Sequence, residues 1–221
     1  MYYEPGRTGH GLAHDPFKSC VVPRPIGWIS TISPEGVSNL APYSQFQNLT
    51  FDPPYVMFAA NQTTRGTRKD TTVNAEQTGE FVYNMATWDL REAMNITAQE
   101  TDPGIDEFDL AGVTKAPSTL VAPFRVAESP IHMECRYHQT LRLPGTGTMG
   151  TVDIIIGQVV AVHIKDDVIS QEGKIDILKI RPIGRLGYYD YAVIDNRFEM
   201  TIPGRNDDLC AGMEGAAAKC R

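Results

Sequence analysis

Long apolar runs are missing from this 221-residue chain. The longest, Val152 to Ile164, is interrupted by Asp153, Gln158 and His163 and is too short to cross a bilayer as a helix. The start, Met1-Tyr2-Tyr3-Glu4-Pro5-Gly6-Arg7, lacks the basic opening and apolar stretch of an export signal. Cysteine is scarce. The four residues Cys20, Cys135, Cys210 and Cys220 form no CxxC unit, and their spacing suits neither a disulfide framework nor a zinc site. Reduced thiols in a soluble, cytoplasmic protein are the expectation, with a bridge between Cys210 and Cys220 as the alternative.

Positive charge is also in short supply. The net charge is −7 and the basic residues are scattered, so neither nucleic acid nor an anionic membrane is expected as a partner. No GxGxxG unit follows a strand, which gives no support to a Rossmann nucleotide site. His10 and His14 have H-x3-H spacing, but their Gly-rich context reads as a loop, and no metal site is expected. Asp102, Asp106, Glu107 and Asp109 lack the spacing of a calcium loop and read as a solvated turn.

Strand signals are abundant. Phe81 to Met85, Ser118 to Val126, Ile131 to Leu143, Thr151 to Lys165 and Lys174 to Ile180 are rich in Val, Ile, Tyr, Phe and Thr between Gly, Pro or Asp turns. Helical spacing starts at Thr87 or Asp89 and runs to Ile96, and Asp106 to Ala111 suggests one further turn closed by Gly112. Nothing alternates as βαβ, so a barrel with peripheral helices is expected, in one domain. Leu143 to Gly150 reads as a long hairpin connection or a flap. The tail from Gly204 to Arg221 is expected to pack loosely or against a partner subunit.

Four signals fall in order between Pro23 and Asn74. They are Pro23-Arg24-Pro25-Ile26-Gly27-Trp28-Ile29-Ser30-Thr31, Ser38-Asn39-Leu40-Ala41-Pro42-Tyr43-Ser44, Asp52-Pro53-Pro54 and Lys69-Asp70-Thr71. The first reads as a strand ending in two hydroxyls, turned back by Ser33-Pro34-Glu35-Gly36. Pro42 places the second at an edge, a bulge or a strand end. After the apolar strand Tyr55 to Ala60, a polar run with Arg65, Arg68 and Lys69 enters a short helix that Asp70 or Thr71 can cap and Gly79 can end. Free N–H groups and the positive end of the helix dipole beside three cations make an anion site; a solvated basic loop is the other reading.

Taken together, these signals resemble the flavin reductase-like family with the FMN-binding split-barrel fold, which includes flavoredoxin and the reductase components of two-component flavin monooxygenases. Further landmarks are Phe81-Val82-Tyr83-Asn84, Met94-Asn95-Ile96-Thr97, Asp106-Glu107-Phe108 with Ala111-Gly112, Glu128-Ser129-Pro130, Glu134-Cys135, Gly157-Gln158-Val159-Val160 with His163, and Arg185-Leu186-Gly187. They span about residues 16 to 201. Gln158 and Tyr188 stand where the family usually has Glu and often Gly. The resemblance implies a mainly β, FMN-binding split β-barrel with a few peripheral α-helices.

It also implies FMN phosphate on Ser30, Thr31, Lys69, Asp70 and Thr71, with Asp70 acting through its backbone N–H or as a cap. The ring and ribityl chain fall to Asn39, Ala41, Pro42, Tyr43, Ser44 and Asn48. Arg24 and Arg68 are lesser phosphate candidates. His163 lines the ring or is a hydrogen-bonded barrel residue, while Trp28, Phe46 and Tyr55 read as core. The implied activity is an NAD(P)H:flavin oxidoreductase using NADH or NADPH, with no catalytic side chain assigned. A flavoredoxin-like carrier and a non-redox binding module are the alternatives. A homodimer with FMN near the subunit interface is expected, with a monooxygenase or redox protein as further partner.

Overall fold

The computed structural model describes residues 1–102, 104–200 and 203–204. Alternating β-branched and aromatic residues build most of its strands. In chain order these are β1 (Arg24–Pro25), β2 (Gly27–Ile32), β3 (Ser38–Tyr43), β4 (Phe46–Phe51), β5 (Pro54–Asn61), β6 (Glu80–Met85), β7 (Lys115–Ala116), β8 (Arg125–Val126), β9 (Ile131–Leu143), β10 (Val152–Ile164), β11 (Ile183–Arg185) and β12 (Tyr191–Val193). The α-helices are α1 (Asp70–Thr78), α2 (Arg91–Ile96), α3 (Glu107–Ala111) and α4 (Ile177–Ile180).

Seven strands form one antiparallel sheet in the order β3-β2-β6-β9-β10-β5-β4, and β1-β11-β12 form a small sheet beside it. One apolar cluster draws a side chain from each of the seven: Ile29, Tyr43, Phe46, Phe58, Phe81, Cys135 and Ile155. A flat sheet cannot aim all seven at one interior, so the sheet is rolled into a barrel around them. Its end strands β3 and β4 border the seam, and the mainly β split barrel expected from the sequence is what forms. Gly157 makes the close packing possible, because a Cβ there would lie 2.3 Å from the Phe81 ring, and the partner strand β9 bulges at His138 opposite that point.

A second cluster, including Trp28, Leu40, Met94, Phe108 and Ile183, packs α2, α3 and the small sheet against the outside of β2 and β3. Pro42 lies on the edge strand β3, where its missing N–H costs no ladder bond. Trp28 and Phe46 are core residues as expected, whereas Tyr55 is half-buried, edge-on to the His138 ring.

Several expectations are corrected. Ser118 to Val126 is not a strand along its length. Only Arg125–Val126 pairs, and the N–H groups of Thr119 and Leu120 donate to the buried Glu134 carboxylate at 2.7 and 2.6 Å. Lys174 to Ile180 is not a strand either, since Asp176 caps the short helix α4 through the N–H of Lys179. The helix expected from Thr87 or Asp89 begins at Arg91.

At α1 the N-cap is Lys69, with no side-chain cap bond, so neither Asp70 nor Thr71 caps it. Gly79 ends it in the left-handed region, at φ +76°. Cys20 and Cys135 are free thiols; Cys210, Cys220 and nearly all of the C-terminal tail lie outside the described residues. No described helix is long and apolar enough to cross a membrane.

Candidate functional site

The polar run after β5 folds as a tight loop. Thr63 and Thr67 exchange backbone and hydroxyl bonds, and Gly66 takes φ +77° to close it. This delivers Arg68, Lys69 and the start of α1 to one wall of a groove of about 270 Å³. The N–H groups of Thr72 and Val73 turn back to the Lys69 carbonyl. Those of Asp70 and Thr71 begin the helix with no intrahelical acceptor, and both residues line the groove.

The opposite wall is β3 with the segment Thr97 to Thr101 after α2. Trp28 anchors that segment through Nε1 to the Thr97 hydroxyl at 2.9 Å. Lys69 crosses to Glu100, donating at 2.7 Å, while Thr64 donates to the same carboxylate from N–H and hydroxyl. The Lys69 and Thr64 donors hold the Glu100 carboxyl down to about 2. Arg68 lines the groove but is committed elsewhere. Its guanidinium forms a bidentate pair with Glu76 and bonds Asp153 at 2.7 Å.

Asn39 is the hub at the groove floor. Its Oδ1 accepts from Thr71 at 2.5 Å and from Thr31 at 3.3 Å, and its Nδ2 donates to Glu107 at 3.1 Å. Glu107 also accepts from the Leu40 N–H at 3.1 Å and the Thr101 hydroxyl at 2.7 Å. The acidic run read as a solvated turn is thus corrected at this residue: Glu107 is buried, because α3 starts at Asp106 and directs it onto β3.

A larger cavity of about 900 Å³ adjoins the groove, with Pro42 and Ala98 lining both. Its walls carry Phe17, Ser44, Tyr188, Tyr189 and Tyr191 with the cations Lys18, Arg24 and Arg185. Arg24 and Arg185 face each other across the β1–β11 pairing. Arg24 donates to the carbonyls of Val21 at 2.8 Å and Leu186 at 2.7 Å, and also to that of Lys18, so it ties the N-terminal segment to the small sheet. Burial and the neighbouring Arg185 lower its pKa.

Of the residues singled out from the sequence, the groove brings together Asn39, Ala41, Pro42, Tyr43, Lys69, Asp70 and Thr71. Thr31 is buried just behind it, bonded to Asn39 and Asn74. Ser44 lies in the larger cavity. Ser30 is set apart, fully buried and donating to the Phe124 carbonyl at 2.5 Å. Asn48 is exposed on β4, accepting from Gln47. His163 lies 2.5 Å from Glu134, outside both cavities. Residues that the sequence reading did not assign to the site include Thr63, Thr67, Glu100, Thr101 and Glu107. Only Glu107 carried a local signal, its place in the first turn after Asp106.

Comparison with known proteins places this geometry. The model of the flavin reductase like domain matches residues 19–193. An uncharacterized protein of Aquifex aeolicus is 36% identical over 171 residues, 76% of this chain and 84% of that protein. Nitrilotriacetate monooxygenase component B from Bacillus cereus superposes with a TM-score of 0.82 at 30% identity, covering 90% of this chain and 98% of its own. The 2-nitrobenzoate 2-nitroreductase of Pseudomonas fluorescens gives 0.74 at 28% identity, covering 85% and 89%.

Proposed function

Because this chain belongs to the flavin reductase like family, we propose that the groove and its adjoining cavity bind FMN and that the protein reduces it with NADH or NADPH. The observation that carries this reading is the convergence of Lys69, the Thr71 hydroxyl and the uncapped start of α1 on one groove that opens into an aromatic cavity.

The donor set fits a phosphate. An ammonium and two helix-start N–H groups supply charge-assisted hydrogen bonds to a dianion, and the Thr71 hydroxyl, whose proton Asn39 Oδ1 accepts, joins them by turning away from Asn39. Asp70 contributes its N–H and no favourable charge. Asn39, clamped by Glu107, accepts the Thr71 hydroxyl proton until an anion draws it off. Ala41, Pro42 and Tyr43 run from this end toward the larger cavity, where Ser44 and the tyrosines form the walls for a planar ring.

When bound, the flavin supplies the electron chemistry, accepting hydride from a dihydronicotinamide and passing two electrons to an oxidant. The protein's part is to hold the ring and to keep a second planar molecule against it. No described side chain is needed as nucleophile or general acid.

The larger cavity exceeds what a single ring system occupies and leaves space for the donor. A second copy of the chain is the expected partner, covering exposed apolar side chains such as Leu49 and Phe51 on β4. A monooxygenase component that consumes reduced flavin is the expected recipient, in keeping with the similarity to a component B protein.

The test is an FMN titration followed by anaerobic addition of NADH or NADPH. Saturable binding and bleaching of the flavin absorbance are expected. Flavin that binds but is reduced only by a protein donor would replace the enzyme with an electron carrier. Failure to bind FMN would remove both readings.

A further inference from the structure

The groove is tied across by one carboxylate, away from its junction with the larger cavity at Pro42 and Ala98. Glu100 reaches from the segment after α2 to the loop before α1. It accepts from the Thr64 N–H at 3.1 Å, the Thr64 hydroxyl at 2.6 Å and Lys69 at 2.7 Å. We propose that Glu100 makes the site selective for a flavin mononucleotide and excludes FAD, whose chain continues past the first phosphate. This rests on the flavin-binding reading above and adds the class of flavin and the residue that sets it.

The wall that carries Glu100 is not free to swing aside. Its first residue, Thr97, accepts from Trp28 Nε1 at 2.9 Å, and its last, Thr101, donates to the buried Glu107 at 2.7 Å. Glu107 also accepts from the Asn39 side-chain amide and the Leu40 N–H on β3. Wall, floor and loop thus form one hydrogen-bonded frame. Where a phosphate shares Lys69, the two Thr64 bonds still hold Glu100 across the groove.

Charge and oxygen count separate the two flavins. FMN ends in a phosphate with three acceptor oxygens and nearly two charges, matched by Lys69 and the N–H groups of Asp70 and Thr71. In FAD one of those oxygens is the bridge to a second phosphate, so an acceptor is lost and further negative charge is carried beyond it. That charge meets the Glu100 carboxylate, with the Asp70 carboxylate on the same groove. The neighbouring guanidiniums already have counterions: Arg68 is held by Glu76 and Asp153, and Arg65 lies 3.6 Å from Asp102. The Arg65–Asp102 pair is mostly exposed and screened by water, so the more enclosed Glu100 dominates.

Calorimetric titration of the full-length protein with FMN and with FAD reads the selectivity directly. FMN is expected to bind about a hundredfold more tightly, the scale of one like-charge approach in a partly enclosed site. FAD affinity within about tenfold of FMN overturns the selectivity and leaves the flavin-binding reading standing. Binding of neither flavin overturns that reading, and the selectivity with it.

Two variants test the assignment to Glu100. Glu100→Ala removes both the carboxylate and the tie to Thr64, and the preference for FMN over FAD is expected to shrink about tenfold. Glu100→Gln removes the charge but keeps an acceptor for Thr64, so the preference should shrink by a smaller factor. A general loosening of the groove would weaken both flavins together and leave their ratio unmoved. With folding checked by circular dichroism, an unchanged ratio in the two variants overturns the role of Glu100.

Discussion

Lys69 Nζ donates to Glu100 Oε1 at 2.7 Å across the groove, so the lysine proposed for the phosphate is already engaged with a carboxylate. The Lys69 and Thr64 donors lower the Glu100 pKa to about 2, and the pair is therefore intact throughout the neutral range. An incoming anion has to share Lys69 or displace Glu100 from it. Glu100→Gln is expected to tighten FMN binding roughly threefold to tenfold, the scale of one partly screened ion pair. A flavin-fluorescence titration measures it, and equal or weaker affinity would show that the pair does not oppose the phosphate. Because Glu100 stays ionised until pH approaches 2, it contributes no inflection to FMN affinity between about pH 4 and 9.

Removing the donors themselves should act in the opposite direction. Lys69→Ala combined with Thr71→Ala is expected to weaken FMN by about 2–4 kcal/mol if both contacts are direct. Thr71 also bonds Asn39, so circular dichroism must show the double variant folded before its affinity is compared. An unchanged dissociation constant would reject the phosphate assignment.

A pH effect on stability should trace to His132. Its Nε2 lies 2.8 Å from the Val126 carbonyl and its Nδ1 is buried without a hydrogen-bond partner. Burial pushes its pKa down to about 4. Between the usual value near 6.5 and about 4, the unfolded chain takes up a proton that the folded chain refuses. Stability is thus full above about pH 6.5 and falls by up to about 3 kcal/mol as pH drops to about 4. Urea midpoints at pH 7 and pH 4.5 should differ more in the parent than in His132→Gln, and equal differences would refute this origin.

Asp153 joins the start of α1 to the β9–β10 hairpin. Only 5% exposed as a side chain, it accepts from Arg142 Nε and Arg68 Nε, both at 2.7 Å, while Arg68 also grips Glu76. Asp153→Asn leaves Arg142 without its carboxylate and Arg68 with Glu76 alone, and is expected to cost about 2–4 kcal/mol, seen as a lower melting temperature. The groove wall borne by Arg68 and Lys69 should loosen with it, so FMN affinity is expected to fall in parallel. A variant as stable as the parent would mean that Asn replaces the carboxylate fully.

The long strands were legible because their pattern is local. Ile131–Leu143 was expected to the residue, and β10 fell within one residue of Thr151 to Lys165 at each end. Ser118 to Val126 and Lys174 to Ile180 have equally strand-like composition, yet they do not run as strands. The first finds a buried acceptor in Glu134, and the second a helix cap in Asp176. Composition cannot register the first, a partner supplied by another strand, while the second is a local cap that the strand-like composition masked.

By itself the sequence determined that the protein is built from antiparallel strands, that Pro42 sits at an edge, and that hydroxyls and a lysine gather before a short helix. Period and turn chemistry are properties of neighbouring residues, which is why they could be read directly. The tertiary structure decided which of those groups meet. It buried Ser30 against Phe124 and turned Thr71 onto Asn39. It brought Glu100 to Lys69 and Glu107 beneath Asn39, from residues far along the chain. Those distances close only when the sheet rolls up, and the charge of the site depends on them.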